Sequence, residues 1–415
     1  MAFEMLMIQK PPLNGSTQDP DFRLNLKQLE LNALLEVTEA INANLPESAL
    51  YRIYHFTLLS NLTISKLALF VHDEDWDCKV KYGLKNQLPV DCIKNYILGC
   101  DKITSTKGIE TFSDFDVIIP IAHKSKKLAY VLLGGINDLN LADDNTPFSF
   151  VQTLTSILIV AVENKKLARK QLQQEAFKKE LEIARKVQTN LFPSVLPFNE
   201  QVELKASYLP HLMVGGDYYD YIPLAENQFL FCIADVSGKG IPAALLMSSF
   251  QSGLRTLVRR TNDLEDIVRE LNFLVKSNSH GERFITFFCA IIDLNTHKLT
   301  YINAGHNPPF YIQDKAVKEL NKGSTVLGAF DDLPFVEKET IQIVASGVLF
   351  AYTDGLTEAS NEANDEYGTD RLKDFLLSGD SCGEYMHTGL LNELNAFKGA
   401  TAFPDDITIF SCCFR

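Results

Sequence analysis

The sequence predicts an α+β protein in which two globular domains are joined by a long helix. Its 415 residues are enough for two or three domains at roughly 100 to 200 residues each. Strand-length apolar runs and helical spacings occur both before and after a segment near residue 170. That segment has neither Gly nor Pro between Phe148 and Pro193, which predicts a helix of more than 40 residues.

Composition narrows the class of protein. Apolar residues make up 46% and charged residues 22%, as in ordinary globular proteins. A net charge of -14 argues against nucleic acid as a partner. The first residues lack the basic start of a secretion signal, and no run of 18 apolar residues predicts a membrane span. The eight cysteines form no Cys-x-x-Cys pair, so we expect small core residues in a reducing compartment and a cytoplasmic protein.

The first domain is predicted over residues 26–160, after a flexible tail at 1–25 that mixes Pro and Gly with polar residues. A helical spacing starts at Leu29, and a second helix is predicted from Pro46 to Leu62. Short apolar or β-branched runs then predict strands over 64–72, 79–82, 108–112, 117–122 and 128–134, with a helix over 90–98. The domain is therefore expected to be a sheet with helices.

The linker is predicted over residues 161–192. Between Glu163 and Lys186 it holds 8 basic and 4 acidic residues. Five residues recur in 4-3-4-3 steps, four of them apolar and one polar: Phe177, Leu181, Ala184, Gln188 and Leu191. This spacing favours a short two-chain coiled coil with one polar core position, and hence a homodimer. A solvated helix that packs on its own domain is the alternative.

The second domain is predicted over residues 193–415. Strands are expected over 202–208, 229–234, 285–293, 298–303, 341–344, 348–353 and 407–414. Helices are expected over 241–260 and 264–277, and near residues 372 and 385. These elements predict two sheets with helices outside them.

Four aspartates stand at predicted strand ends or in a glycine turn: Asp217, Asp235, Asp354 and Asp405. One such Asp is usually an ordinary turn residue, but together the four suggest a metal site. No His or Cys stands beside them, and oxygen ligands suit Mg2+ or Mn2+ rather than Zn2+. Two such ions can activate a water and clamp a phosphate, so the pattern indicates hydrolysis of a phosphate ester.

Two other motifs leave alternatives open. The stretch Gly238-Lys239-Gly240 lacks the spacing of a nucleotide-binding P-loop, so we interpret it as a turn before a helix, with Lys239 a candidate substrate contact. His306 lies in Asn303-Ala304-Gly305-His306. It is a candidate general acid or simply part of a polar turn between two strands.

From about Glu182 onward the sequence resembles the bacterial PPM-type metal-dependent protein serine/threonine phosphatases of the stress-response and sporulation branch. Seven stretches carry the resemblance: EIARKVQ at 182–188, GGDYYD at 215–220, ADVSGKG at 234–240, FIT at 284–286, NAGH at 303–306, YTDGLTEA at 352–359 and DDIT at 405–408. The resemblance implies an αββα-sandwich phosphatase domain that holds two Mn2+ or Mg2+ ions.

Metal ligands are implied by the same resemblance. Asp217 and Asp235 would hold one ion and the bridge between the ions, with the backbone carbonyl of Val236. Asp354 and Asp405 would hold the other ion. The matching positions Asp220 and Asp406 are interpreted as supporting or structural residues. No arginine corresponds to the one that binds substrate phosphate in eukaryotic members, so phosphate affinity is expected to rest on the metals.

The first domain resembles GAF-type sensors. The resemblance rests on Ile119-Pro120-Ile121, the strand Val131–Gly134, and Glu163-Asn164 before the linker. It implies either a cavity for a small molecule between sheet and helices or a dimerisation module. The two possibilities are weighed equally.

The expected function is that of a cytoplasmic signalling phosphatase with a GAF-like sensor, a helical linker and a metal-dependent catalytic domain. By family analogy its substrate is a phosphorylated STAS-domain regulator. Two alternatives remain: a non-catalytic scaffold that binds its partner, and a metal-dependent phosphodiesterase acting on nucleotides. Hydrolysis of a phosphoprotein rather than a cyclic nucleotide distinguishes them.

Overall fold

A computed structural model describes residues 20–73, 75–84, 99–123, 126–136, 146–378 and 382–415. The chain divides into two compact units, Met1–Gln174 and Glu175–Arg415. The helix predicted over 90–98 lies outside the described residues. In the ranges just given, no helix is both long and apolar enough to cross a membrane.

Among the described residues, three helices belong wholly or partly to the first unit: α1 (Pro20–Asn42), α2 (Glu47–Asn61) and α3 (Thr146–Thr189). Helix α1 begins at a proline, which suits the first turn because its missing N–H has no partner there. The tail predicted over residues 1–25 therefore extends too far, because helix begins at Pro20. Helix α3 has 44 residues and confirms the predicted long helix.

The first unit contains one antiparallel sheet. Its strands are β1 (Lys66–His72), β2 (Trp76–Tyr82), β3 (Thr104–Ser105), β4 (Val117–His123) and β5 (Lys126–Gly134), in the order β2-β1-β5-β4-β3. The strand predicted over 108–112 is wrong, because Glu110–Phe112 form a 3-10 turn. Local backbone bonds, such as that from Phe112 N to Ile109 O, replace a strand partner there.

Both faces of this sheet are covered by apolar side chains. Leu67 and Leu69 of β1 belong to a core shared with Leu158 of α3, whereas Phe70 packs with Trp76 on the opposite face. This explains why β1 is an uninterrupted apolar run rather than an alternating one. The GAF-type assignment of this unit stays a prediction.

The second unit contains two sheets. The first sheet has the order β13-β10-β9-β8-β7, with β14 also paired to β10; the second has the order β12-β11-β15-β16-β6. The strands are β6 (Val202–Leu209), β7 (Tyr218–Ala225), β8 (Gln228–Val236), β9 (Ile285–Asp293), β10 (Lys298–Ala304), β11 (Phe310–Gln313), β12 (Ala316–Glu319), β13 (Gly323–Ser324), β14 (Glu339–Gln342), β15 (Val348–Tyr352) and β16 (Ile407–Phe414).

Helices cover the outer faces of the two sheets. They are α4 (Ile241–Val258), α5 (Leu264–Ser279), α6 (Asp354–Thr357), α7 (Gly368–Ser378) and α8 (Gly383–Lys398). Residues of α4 and α5 share a core with the first sheet, and residues of α7 and α8 share one with the second. Between the sheets, Phe231 and Phe410 stack with ring centroids 4.0 Å apart. The layer order is αββα, as predicted.

One pair of cysteines departs from the sequence prediction. Cys382, just before α8, forms a disulfide with Cys413 of β16, and their Cα atoms are 5.9 Å apart, a usual span for such a bond. The expectation that all cysteines are small core residues is therefore wrong for this pair. Cys232, Cys289 and Cys412 are buried, as expected.

Candidate metal centre

Asp217 and Asp235 are brought together by the hairpin of β7 and β8. Tyr218 pairs with Ala234 across this hairpin, which places the preceding Asp217 beside the following Asp235. The two carboxyl groups are close enough for each to change the pKa of the other. The first two predicted site residues therefore lie together.

Asp354 and Asp405 are brought together by β15 and β16 in the second sheet. Asp354 follows β15, and Asp405 lies just before β16, which pairs antiparallel with β15. The loops approach so closely that a Cβ at Gly355 would lie 2.1 Å from the backbone oxygen of Asp406. Residue 355 must therefore be glycine for these loops to approach as they do.

Two threonines of the second sheet hold Asp217 of the first. The hydroxyl groups of Thr353 and Thr408 both donate to Asp217 Oδ2, at 2.8 and 2.5 Å. The backbone N–H of Thr408 donates to Thr353 Oγ1 at 2.9 Å. The candidate site thus lies where the two sheets meet.

Asp406 fixes the loop that leads to Asp217. Its Oδ1 accepts the backbone N–H of His211 at 2.7 Å, and its Oδ2 accepts that of Gly216 at 2.8 Å. A Cβ at Gly216 would lie 2.9 Å from the carbonyl oxygen of Val236, so that carbonyl lies against the same loop. Asp406 therefore supports the site, as its motif position suggested.

Gln188, near the end of α3, holds the same loop from another side. Its side-chain amide donates to Gly215 O at 2.7 Å and accepts from Gly215 N at 3.2 Å. Gln188 is buried by these contacts. The interpretation of Gln188 as a polar position in an interhelical seam is therefore wrong. Phe177, another predicted seam position, is 55% exposed.

Burial and mutual repulsion disfavour negative charge on the clustered carboxyl groups. The pKa of Asp217 is raised well above its ordinary value by burial, then by Asp235 and Asp406. The pKa of Asp235 is raised to about 8, chiefly by burial and then by the charges of Asp354 and Asp405. The pKa of Asp354 is raised by burial and by Asp405. The cluster therefore favours bound protons or cations.

The donor set fits hard divalent cations, because it consists of carboxylate oxygens and one backbone carbonyl. In the described part of the chain, no group of three or more His, Cys, Asp or Glu side chains lies close enough together to hold a metal ion. A lysine supplies positive charge: Lys239 Nζ lies 2.9 Å from Asp405 Oδ2 and also donates to Pro404 O.

Two other predicted positions have structural contacts. Asp220 is buried and accepts two hydrogen bonds from Arg255, at 2.7 and 2.9 Å, which supports a structural role. His306 is buried, with Nδ1 2.8 Å from Thr286 Oγ1 and Nε2 3.1 Å from Tyr352 O. Burial lowers the pKa of His306 to about 4. The polar-turn interpretation of His306 is thus favoured over a general acid.

Sequence reasoning did not single out Thr353 or Thr408, and it gave Gln188 a different role in a coiled-coil seam, although all three lie inside the recognised motifs. Threonine at a strand end is typical of ordinary strands, and a lone Gln on a helix is typical of a solvated face. Their position within motifs that also carry the acids was the only available signal.

Two packed sheets with helices outside them, and paired acids beside the sheet junction, form the arrangement that the resemblance to PPM-type phosphatases implied for the second unit. Residues 225–415 match the model of the family described as Stage II sporulation protein E (SpoIIE). The second unit is therefore similar to this family over most of its length, in agreement with the resemblance that the sequence motifs carry.

Individual relatives agree with this assignment. The chain is 34% identical over 192 residues to phosphoserine phosphatase RsbU of Bacillus subtilis, covering 46% of this chain and 56% of RsbU. It is 26% identical over 337 residues to protein IcfG of Synechocystis, covering 73% of this chain and 53% of IcfG. The chain thus spans about half the length of these curated relatives.

A solved structure supports the fold. The SiaA-PP2C domain of Pseudomonas aeruginosa superimposes with a TM-score of 0.53 at 20% identity, covering 59% of this chain and 99% of that domain. At this identity the likeness concerns the fold alone.

Proposed function

We propose that this protein is a metal-dependent serine/threonine phosphatase that acts on a phosphorylated partner protein in bacterial signalling. The observation that carries the proposal is that Asp217 and Asp235 form one pair, Asp354 and Asp405 form another, and the charges of the second pair reach Asp235. The match to the SpoIIE family and the similarity to a protein named phosphoserine phosphatase support it.

Asp217, Asp235 and the carbonyl of Val236 would hold one Mn2+ or Mg2+ ion, and Asp354 with Asp405 would hold a second. Bound ions of this kind supply Lewis-acid chemistry that lowers the pKa of a water molecule and offsets phosphate charge. The reaction transfers the phosphoryl group to water and releases the serine or threonine hydroxyl with inorganic phosphate. No covalent enzyme intermediate is required.

The chain's own residues would keep the carboxylates ready for this chemistry. The hydroxyls of Thr353 and Thr408 occupy one oxygen of Asp217, which orients the carboxylate and leaves its other oxygen for a cation. Asp406 and Gln188 hold the preceding loop in place. The protein thus fixes the donor positions before the ions arrive, which limits reorganisation during the reaction.

The substrate class follows from the family resemblance. We infer a phosphorylated STAS-domain regulator as substrate, control by the GAF-like first unit, and a homodimer that pairs through the exposed part of α3. Coupling of about 1 to 3 kcal/mol between sensor and site would change the rate 5- to 150-fold.

The proposal is tested with the purified full chain, an aryl phosphate, a phosphoserine protein and a cyclic nucleotide, each with and without Mn2+ or Mg2+. Changing any one of the four aspartates to Asn should lower activity at least about tenfold, or about 1.4 kcal/mol of barrier. Asp331→Asn, an exposed acid paired with Lys276, is the matched control. Metal-independent hydrolysis would contradict the proposal. Hydrolysis of only the cyclic nucleotide would favour a phosphodiesterase, and partner binding without hydrolysis a scaffold.

A further inference from the structure

We propose that Lys239 binds the phosphoryl group of the substrate, and that before metal ions bind it neutralises Asp405 in their place. This inference rests on the proposed function and deepens it by naming a residue that recognises phosphate. It addresses a feature of the sequence, because no arginine corresponds to the one that binds substrate phosphate in the eukaryotic members of the family it resembles.

The position of Lys239 supports its pairing with Asp405 in the metal-free protein. Its ammonium lies 2.9 Å from Asp405 Oδ2 and donates to the backbone oxygen of Pro404. It stands in the turn between β8 and α4, four residues after Asp235, and Gly240 with a φ of 73° turns the chain there. The side chain thus extends from one pair of acids toward the other.

The charge distribution supports a specific role for this lysine. Among the described residues, no other Lys or Arg forms an ion pair with any of the four clustered aspartates. The electrostatic effect of Lys239 also reaches Asp354 and Glu358. A single cation therefore faces several carboxyl groups, and a divalent ion bound at Asp405 would compete with it directly.

The exposure of the Lys239 side chain allows it to bind the phosphoryl group. The side chain of Lys239 is 44% exposed, so its ammonium can leave Asp405 and meet a ligand from solvent without first unfolding the loop. An ammonium offers three donors on a flexible stem and binds phosphate as a compact charge. Once a metal ion shares the charge of Asp405, the attraction between Lys239 and that carboxylate weakens, and a phosphate becomes the stronger partner.

The test compares Lys239→Met, which removes the charge at similar length, with Lys239→Arg, which keeps it. Lys322→Met is the matched control, because Lys322 is 52% exposed and pairs with Glu337 elsewhere in the same unit. Three quantities are measured on the full chain: Mn2+ affinity of the metal-free protein by calorimetry, inorganic phosphate affinity of the Mn2+-loaded protein by calorimetry, and KM with kcat for an aryl phosphate.

We expect Lys239→Met to bind Mn2+ more tightly than the wild type, because a competing cation is gone. It should bind inorganic phosphate about tenfold more weakly, with a similar rise in KM and a smaller change in kcat. Lys239→Arg should retain most phosphate affinity, and Lys322→Met should match the wild type.

Unchanged phosphate affinity and KM in Lys239→Met would overturn the phosphate-binding role. Unchanged or weaker Mn2+ affinity would overturn the exchange on Asp405. If the wild type hydrolysed no phosphate ester, the proposed function would fail separately, and the two calorimetric measurements would still decide the role of Lys239.

Discussion

Asp217 shows how single residues can keep a buried acid available to a cation. Burial and two neighbouring acids raise its pKa, whereas hydrogen bonds from Thr408 and Thr353 lower it. Hydrogen bonds to the ionised form favour that form. The two threonines therefore oppose protonation of the carboxyl group where a cation needs it ionised.

Replacing Thr408 with Val should weaken this support at nearly constant volume. Loss of one hydroxyl donor raises the pKa of Asp217 further, so Mn2+ binding should require a higher pH and weaken about tenfold at neutral pH. Calorimetric Mn2+ titrations at several pH values measure this change. Thr408→Ser, which keeps a hydroxyl, should recover most of the affinity, and a Val variant with wild-type affinity at every pH would refute the role.

His387 connects three elements of the second unit. Its Nδ1 lies 2.9 Å from Ser207 Oγ of β6, and its Nε2 lies 2.8 Å from Ser411 Oγ of β16, so the ring ties α8 to both strands. Burial, followed by the charge of Lys205, lowers the pKa of His387 to about 4. The folded protein therefore keeps this ring neutral.

Stability should consequently fall in mild acid. The unfolded chain protonates His387 near its ordinary pKa of 6.5, whereas the folded chain resists until about pH 4, so stability is present above pH 6.5 and lost between these values. The loss attributable to this ring is on the order of 3 kcal/mol. Urea unfolding at pH 7.5 and 4.5 measures the free energy of unfolding of the wild type and of His387→Gln. The wild type should be the more stable of the two at pH 7.5, and this difference should shrink at pH 4.5. An advantage independent of pH would contradict the prediction, and the exposed His280→Gln is the control.

Helix α3 ends as part of the candidate site rather than as a free linker. The side-chain amide of Gln188 forms hydrogen bonds with both the N–H and the C=O of Gly215, which lies two residues before Asp217. A displacement of the last turn of α3 would therefore move the loop that carries this acid. The structure thus connects the end of the helix directly to the loop that carries the candidate ligand Asp217.

Gln188→Leu should leave the buried N–H and C=O of Gly215 unpaired, at a cost of about 1–3 kcal/mol. We expect weaker Mn2+ binding and lower phosphatase activity, without a rise in self-association. Gln173→Leu changes an exposed position on the same helix and should behave as wild type. Wild-type activity with stronger dimerisation in Gln188→Leu would instead restore the seam interpretation.

The success of sequence reasoning depended on the length and regularity of each element. The long helix and strands such as Phe229–Ala234 could be predicted, because uninterrupted patterns extend over many residues. Strands β11 to β13 were missed, since two to four residues are too few to show a period. Strand β7 was also missed, because Asp220 and Pro223 interrupt its apolar run. The four acids could be singled out from three strand ends and one glycine turn, whereas the contact of Gln188 with Gly215 joins positions 27 apart that no local pattern relates.

At the scale of the molecule, the acids and their supporting residues all lie within Glu175–Arg415. A fragment that starts at Phe177 should therefore fold and retain Mn2+-dependent hydrolysis of an aryl phosphate, with a rate changed by no more than the 5- to 150-fold typical of regulatory coupling. Circular dichroism and Mn2+ calorimetry establish that the fragment is folded and loaded. A folded, loaded but inactive fragment would mean that the first unit supplies part of the site.

The placement of β16 has a consequence for biosynthesis. This strand lies between β15 and β6, and Asp405, Asp406 and Thr408 stand at its start, although their partner Asp217 is made almost two hundred residues earlier. A ribosome releases chains from the N-terminal side, and domains fold as units as they emerge. The first unit can therefore fold while the second still lacks β16. If the proposed function holds, a nascent chain gains activity only after that strand has left the exit tunnel, when the first unit is already complete.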